Sequence, residues 1–338
     1  MAVNGNGYVN FVDQSNTKVK GQFVKPVQLL AQRNEWMARA RFQEANNDTC
    51  EEFVIQTSNP DAYYVTVGKG VPISKSTHAK IQEGWAIIEQ SCEIPRHLVR
   101  GAELVQTLMR ERDGGFESVM QKGSQGLIYS NGSLNDDQFN GLAVRMASLT
   151  GGNSAQLFNC GGSTANAQTS VYAVKWGERQ VYIVTPPGMT AGLSSEDMGL
   201  CRATDASGVL DVYRQVVNLG IGLAVPDYRA IGRICNIDVA SLRTISGTQA
   251  PTATTNILHG FLYLIGRMSR LGSGPIVFHA NLDVFTALHR IALDKSQNAV
   301  KATEAGSQFG EPGSVTLTVW GHPVVLMDQI LNTEAVVS

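Results

Sequence analysis

Apolar positions along the chain fall into three regimes. Between residues 97 and 130 they recur at helical spacing: Leu98, Ala102, Val105 and Met109, then Phe116, Val119, Met120, Gly123 and Leu127, up to Tyr129. This predicts a long rod, with Asp113-Gly114-Gly115 as a break or bend inside it. Between 171 and 237 the period drops to two. VYAVKW and QVYIVT alternate around a Gly177-Glu178-Arg179 turn, and Pro186-Pro187-Gly188 ends the pair. LDVYRQVVNLGIGLAV and YRAIGRICNIDV are joined around Pro226-Asp227, so two strand pairs are expected. Residues 238–254 read as a linker, after which helix and strand patterns alternate. Thr255 is placed to cap a helix whose Leu258, Phe261, Leu262, Ile265 and Met268 share a face, and Gly272 ends it. PIVFHA reads as a short buried strand. Asn281 caps a second helix through Leu282, Phe285, Leu288 and Ile291. VTLTVWG and PVVLMD are strands around Gly321-His322.

The remaining stretches have less to bury. Residues 1–24 are rich in Asn and Gly and read as an extended arm. A helix follows, with Pro26 in its first turn and Leu29, Leu30, Arg33, Trp36, Met37 and Ala40 as its stripe. In 53–90, the strand-like Ala62–Val67 and Lys80–Glu89 flank GKGVPISKST, a run of turn and tip residues in which Val71 and Ile73 sit among lysines. SNGSLNDDQFNG reads as a turn, and Gly151-Gly152 to Gly161-Gly162 as a loop. A two-stranded arm is marginal alone in water and becomes stable when a partner covers it. Self-assembly is therefore expected before catalysis.

Composition supports that ordering. The chain has 338 residues, enough for two or three units that need no disulfide or metal staple. Charged residues make up 17%, below the usual ~25%, and there are 34 glycines. Both suit a protein that covers much of its surface with other subunits. A net charge of −2 and no basic block exclude a DNA binder that tracks phosphates by counterion release. The five cysteines are widely spaced with no C-x-x-C, which predicts reduced thiols. The start MAVNGNGYVNFVDQ does not read as an export signal, and no apolar run approaches a membrane span.

The chemistry-bearing residues form no catalytic pattern. Gly68-Lys69-Gly70 with Ser74-Lys75-Ser76 lacks the phosphate-loop spacing, and Gly161-Gly162-Ser163 is no nucleophile elbow. The six histidines contain no H-x-x-x-H pair. Asp136-Asp137 read as turn and cap residues before Phe139. Glu51-Glu52 and Lys69, Lys75 and Lys80 read as interface charges or a solvated loop. No catalytic, cofactor or metal site is expected.

Several stretches resemble the major capsid proteins of tailed double-stranded-DNA phages, above all the short-tailed family typified by epsilon-fifteen and the Bordetella phages. They are GVPISKSTHAKIQEGWAIIEQ (70–90), DDQFNGLAVRM (136–146), TSVYAVKWGERQVYIVTPPGMTAGLSSEDMG (169–199), GLAVPDYRAIGRICNIDV (222–239) and VVLMDQILNTEAVV (324–337). The resemblance implies an α+β Hong Kong 97-type fold. It divides the chain into an N-arm (1–50), an E-loop (51–90), a P-domain with a spine helix (91–239) and an A-domain with the C-terminus (240–338). The implied function is a structural subunit, not an enzyme. It polymerises into pentamers and hexamers of an icosahedral head around packaged DNA, which it touches weakly and non-specifically. Portal, scaffold and decoration proteins are the implied partners, the virion head its location and the host cytoplasm its place of assembly. Expected inter-subunit contacts at the E-loop tip are Lys69, Val71, Pro72, Ile73 and Lys75. Some shells of this fold are cross-linked through an E-loop lysine; Lys69 could be such a donor, but no motif marks an acceptor. A rearranged chain order is also expected: the P-domain sheet finished by about residue 239, and 323–328 pairing with 275–279. The alternatives are an encapsulin-type cellular compartment of the same fold and an α/β enzyme in residues 240–330.

Overall fold

The computed structural model describes residues 18–19, 22–23, 36, 39–98, 102–152, 154–189, 192–205, 208–243, 252–268, 274–293, 300–304 and 315–338. The expected helix after Pro26 and the Gly272 helix stop lie outside them. Strands β1 (Lys18–Val19) and β2 (Gln22–Phe23) form a small antiparallel pair.

The helical stripe of 98–129 forms one helix, α1 (Ala102–Tyr129). It runs unbroken through Gly114-Gly115, so the expected break is absent. Gly115 and Gly123 serve packing, while Gly114 has open space around it. A Cβ built on Gly115 would lie 2.4 Å from Gln90 Oε1, and one on Gly123 would lie 2.7 Å from Leu219 Cδ2. The bare backbone lets α1 lie close on the sheet below it.

That sheet has six strands. Its spine is β5 (Thr77–Pro95) against β10 (Gly208–Ala224), in register from Val212↔Pro95 to Gly222↔Trp85. On one side, β4 (Cys50–Ser58) pairs with β5. On the other, β8 (Tyr182–Thr185) pairs with β10, and β3 (Phe42–Glu44) lies parallel to β8. The sixth, β9 (Leu193–Asp205), folds back along β10 as a long hairpin and pairs with nothing else among the described residues. The sequence reading did not single out β9, because LSSEDMGLCRATD has too few apolar positions to alternate.

The second sheet has seven strands in the order β13-β14-β15-β12-β7-β11-β6. These are β6 (Leu157–Asn159), β7 (Gln168–Lys175), β11 (Ile231–Asp238), β12 (Ile276–Ala280), β13 (Val300–Glu304), β14 (Val315–Val319) and β15 (His322–Leu326). Strand β6 falls in the stretch read as a loop between Gly151 and Gly162. The helices α3 (Val239–Arg243), α4 (Thr252–Met268) and α5 (Leu282–Leu293) belong to the C-terminal third. Helix α4 begins before the expected Thr255 cap, and α3 lies within the expected linker. Asn281 does cap α5: its Oδ1 accepts from the Val284 amide at 3.0 Å.

Two expected hairpins are crossings between sheets. Strands β7 and β8 pair with different partners, and so do β10 and β11. The physical reason is burial. Every residue of β7 is buried. Tyr172 and Val174 join the core beneath α1, while Val171 and Ala173 join the core beside α4 and α5. A strand between two cores needs neighbours buried on both faces, and β11 and β12 supply them; β8 is buried as well, but beside β10 in the other sheet.

Strand β15 pairs in parallel with β12, Phe278↔Val324 to Ala280↔Leu326, which is the expected pairing of 323–328 with 275–279. The sheet is not finished at residue 239, however. Strand β12 also pairs with β7, Ile276↔Lys175 to His279↔Tyr172. A boundary at 240 would cut a continuous sheet. The C-terminal segment then returns to the middle of the molecule, where Glu334 bridges to Gln168 and the Val337 amide donates to Asn236 Oδ1 at 2.8 Å.

Candidate inter-subunit interface

Asn59-Pro60-Asp61 follows Ser58, and the ladder between β4 and β5 stops there at Ser58↔Thr77. Pro60 and Pro72 have no N–H to donate, so neither arm of the loop can ladder at those positions. Residues 59–76 therefore project beyond the sheet without ladder bonds, and the expected strand at Ala62–Val67 is absent; Cys50–Ser58 is the strand that pairs with β5. The loop doubles back at Thr66–Lys69, a type II turn closed by the Lys69 amide on the Thr66 carbonyl at 3.1 Å, with Gly68 at φ +89°. Ser74 Oγ donates to the Asp61 carbonyl across the loop at 3.0 Å.

Its side chains are bare. Tyr64, Val67 and Ile73 are fully exposed, and Val71 is half exposed. Lys69, Pro72 and Lys75 are exposed beside them. All five expected contact residues thus sit on the projecting loop. Tyr64 and Val67 join them although the sequence reading treated their stretch only as a strand; their β-forming character masked their position beyond the last ladder pair.

Farther along the hairpin, a buried ion pair ties β5 to the rest of the molecule. Arg145 follows the Phe139-Asn140-Gly141-Leu142 motif in α2 (Leu142–Arg145). Its guanidinium donates to both Glu83 oxygens at 2.6 and 2.7 Å, to the Leu223 carbonyl at 3.0 Å and to Tyr228 Oη at 3.2 Å. Burial works against the Arg145 charge, but the Glu83 carboxylate outweighs it and holds the guanidinium above its ordinary value. A Cβ on Gly141 would lie 2.6 Å from the Ile128 carbonyl, so the chain can pass under α1 here only as glycine. Gly141 is also the N-terminal residue before α2; Asp136 and Asp137 stay in the exposed loop and cap nothing.

Glu51, opposite Glu83 in the ladder, is buried and accepts from Tyr182 Oη at 2.9 Å and from the Asn46 amide at 2.7 Å. Burial, then the bond to Glu51, pushes the Tyr182 phenol up. Glu52 and Lys80 pair with each other at 2.5 Å within the hairpin, and Lys80 followed by Gln82 holds the Glu52 carboxyl below its ordinary value. Glu51, Glu52 and Lys80 are therefore engaged within the chain, which leaves Lys69 and Lys75 as the lysines presented by the tip.

Among the described residues no cluster of three metal-ligating side chains occurs, and no helix is long and apolar enough to cross a membrane. All five cysteines are free, as their spacing predicts.

Comparison with curated proteins gave no match. Among solved structures, that of bacteriophage Epsilon15 superposes over 100% of both chains, with a TM-score of 0.72 and 23% identity. This shows a shared fold, the Hong Kong 97-type. The bacteriophage JBD30 capsid follows with a TM-score of 0.47 and 9% identity, covering 95% of this chain and 99% of that one. The holo-SrpI encapsulin complex from Synechococcus elongatus has a TM-score of 0.45 and 12% identity, covering 70% of this chain and 99% of that one. A family model described as major capsid protein GP7 matches residues 18–338, and the chain belongs to that family of capsid-building proteins.

Proposed function

We propose that this major capsid protein polymerises through its E-loop into pentamers and hexamers that close an icosahedral phage head around double-stranded DNA. The observation that carries this reading is the projecting loop 59–76, whose Tyr64, Val67 and Ile73 are fully exposed and covered by nothing among the described residues. Burying each on a neighbour contributes on the order of 1.5–3 kcal/mol. Contacts at Lys69, Val71, Pro72, Ile73 and Lys75 are part of the proposal, as is a division into N-arm, E-loop, P-domain and A-domain in which the last two share the seven-stranded sheet. Each joint is weak alone, and many add by multivalency. The low net charge supports a shell that lets packaged DNA slide. Assembly takes place in the host cytoplasm, with portal, scaffold and decoration proteins as further partners, and the subunit carries out no catalysis.

Electron microscopy of the purified chain tests the reading. Closed icosahedral shells are the expected result. A protein that stays monomeric at high concentration overturns it. Shells that enclose cellular protein instead of DNA in infected cells would favour the compartment alternative.

A further inference from the structure

Strand β5 changes partner between Gly84 and Trp85. From Trp85 to Pro95 it pairs with β10, and from Thr77 to Gly84 with β4. Among the described residues no third strand joins β4 and this outer part of β5, so a two-stranded arm leaves the six-stranded sheet at that point. Such an arm has little of its own to resist bending. Thr77 lies six residues beyond Glu83, about 20 Å, and a swing of about 10° at the root would carry the end of the ladder sideways by about 3.5 Å, enough to lose a packing contact.

Two carboxyl groups stand at the root. Glu51 and Glu83 are directly opposite each other, on one face, and both are buried. Like groups in that arrangement work against pairing. Each is held by a different part of the body. Glu83 takes the forked Arg145 guanidinium, which also donates to the Leu223 carbonyl at the end of β10 and, through Nε, to the Asn140 carbonyl at 3.1 Å. Glu51 takes the Tyr182 hydroxyl from β8. Stability alone does not call for this. The next pair on the same face is apolar, Phe53↔Ile81, and a buried ion pair is often no more stabilising than apolar side chains of its size. What the polar contacts add is direction, because a planar fork and a phenolic hydroxyl hold their partners within a narrow range of positions.

We propose that Arg145 and Tyr182 are positioning residues, which fix through Glu83 and Glu51 the angle at which the arm leaves the body, and that this angle sets the diameter at which the shell closes. This rests on the shell reading and places the control of shell size inside the subunit.

Particle size tests it. Tyr182→Phe keeps the ring and loses the bond to Glu51, and Arg145→Lys keeps the charge and loses the fork. In electron micrographs, shells of either variant should lose the uniform diameter of unmodified shells. Ile291→Val, which trims the buried core beside α4 and α5, supplies the comparison: it should lower the thermal midpoint and leave the diameter unchanged. Tyr182→Phe shells as uniform as the unmodified ones, or an equal loss of uniformity in Ile291→Val, overturn the proposal. Reconstruction of the unmodified shell gives a second readout that needs no variant. Copies in pentamers and hexamers should keep both root contacts and one arm angle, differing from each other only beyond Ser58 and Thr77. Root contacts broken in some copies, or arms that swing at the root, overturn it. Failure of the unmodified chain to form shells removes the shell reading and this proposal with it, whereas uniform variant shells remove the proposal alone.

Discussion

His279 lies at the seam of the two cores, 2% exposed, with the edge of its ring toward Trp176 at a 6.2 Å centroid distance. Neither ring nitrogen has a hydrogen-bond partner among the described residues. Burial, reinforced by the charge of Arg39, pulls its pKa down to about 4. The folded form therefore keeps the imidazole neutral while the unfolded chain takes up a proton below its ordinary value of about 6.5. The resulting stability is complete above pH ~6.5 and is lost as pH falls toward ~4, up to about 3 kcal/mol in all. Urea midpoints at neutral and mildly acidic pH should show this loss, and His279→Leu should flatten it between those limits. Equal pH slopes in both proteins would contradict the assignment. The Arg145–Glu83 pair makes a second residue-scale prediction. Glu83→Gln leaves a buried guanidinium short of its counter-charge and should cost about 3 kcal/mol or more in the urea midpoint. These roles were only half legible. Phe139-Asn140-Gly141-Leu142 marked a place in the sequence, but Arg145 and Glu83 are 62 residues apart, and no local pattern ties them together.

At the scale of elements, the helices came through best, because a 3.6-residue stripe survives whatever the helix packs against. Even there, Gly114-Gly115 misled. Glycine signals flexibility in isolation, but the same residue permits close approach once a sheet lies beneath it. The two roles can be separated experimentally. Gly114 is exposed with open space around it, so Gly114→Ala should stabilise the protein by up to about 1 kcal/mol through helix propensity. Gly123→Ala must displace Leu219, and despite the same propensity gain it should lower stability by about 1 kcal/mol. Thermal unfolding of the two variants checks both signs, and stabilisation by both would show that α1 is not seated through Gly123. Strands were legible as strands but not as pairs. Alternation located β7, β8, β10 and β11, yet the turns after Trp176 and around Pro226-Asp227 carry the chain from one sheet to the other. Pairing is decided by what is buried on both faces, and that information is spread over β12 and both cores.

At the scale of the whole molecule, the 59–76 loop extends past the last ladder pair of its sheet. Amides of 59–76 should exchange nearly freely in isolated subunits and become protected in shells; equal protection in both states would mean that the loop orders itself without neighbours. The loop was the part most legible in the sequence, because turn residues announce a tip. The seven-stranded sheet is closed by a residue distant in the chain. Glu334 accepts from Tyr172 Oη at 3.1 Å and from Arg233 at 3.0 Å, and Ser170 and Tyr129 also donate to it. Asn236 Nδ2 donates to the Val337 carbonyl at 2.9 Å. Arg233 thus meets its carboxylate only after 101 further residues have been added to the chain. On the ribosome, the centre of the fold must wait, with Arg233 short of its carboxylate, until residue 334 has been synthesised.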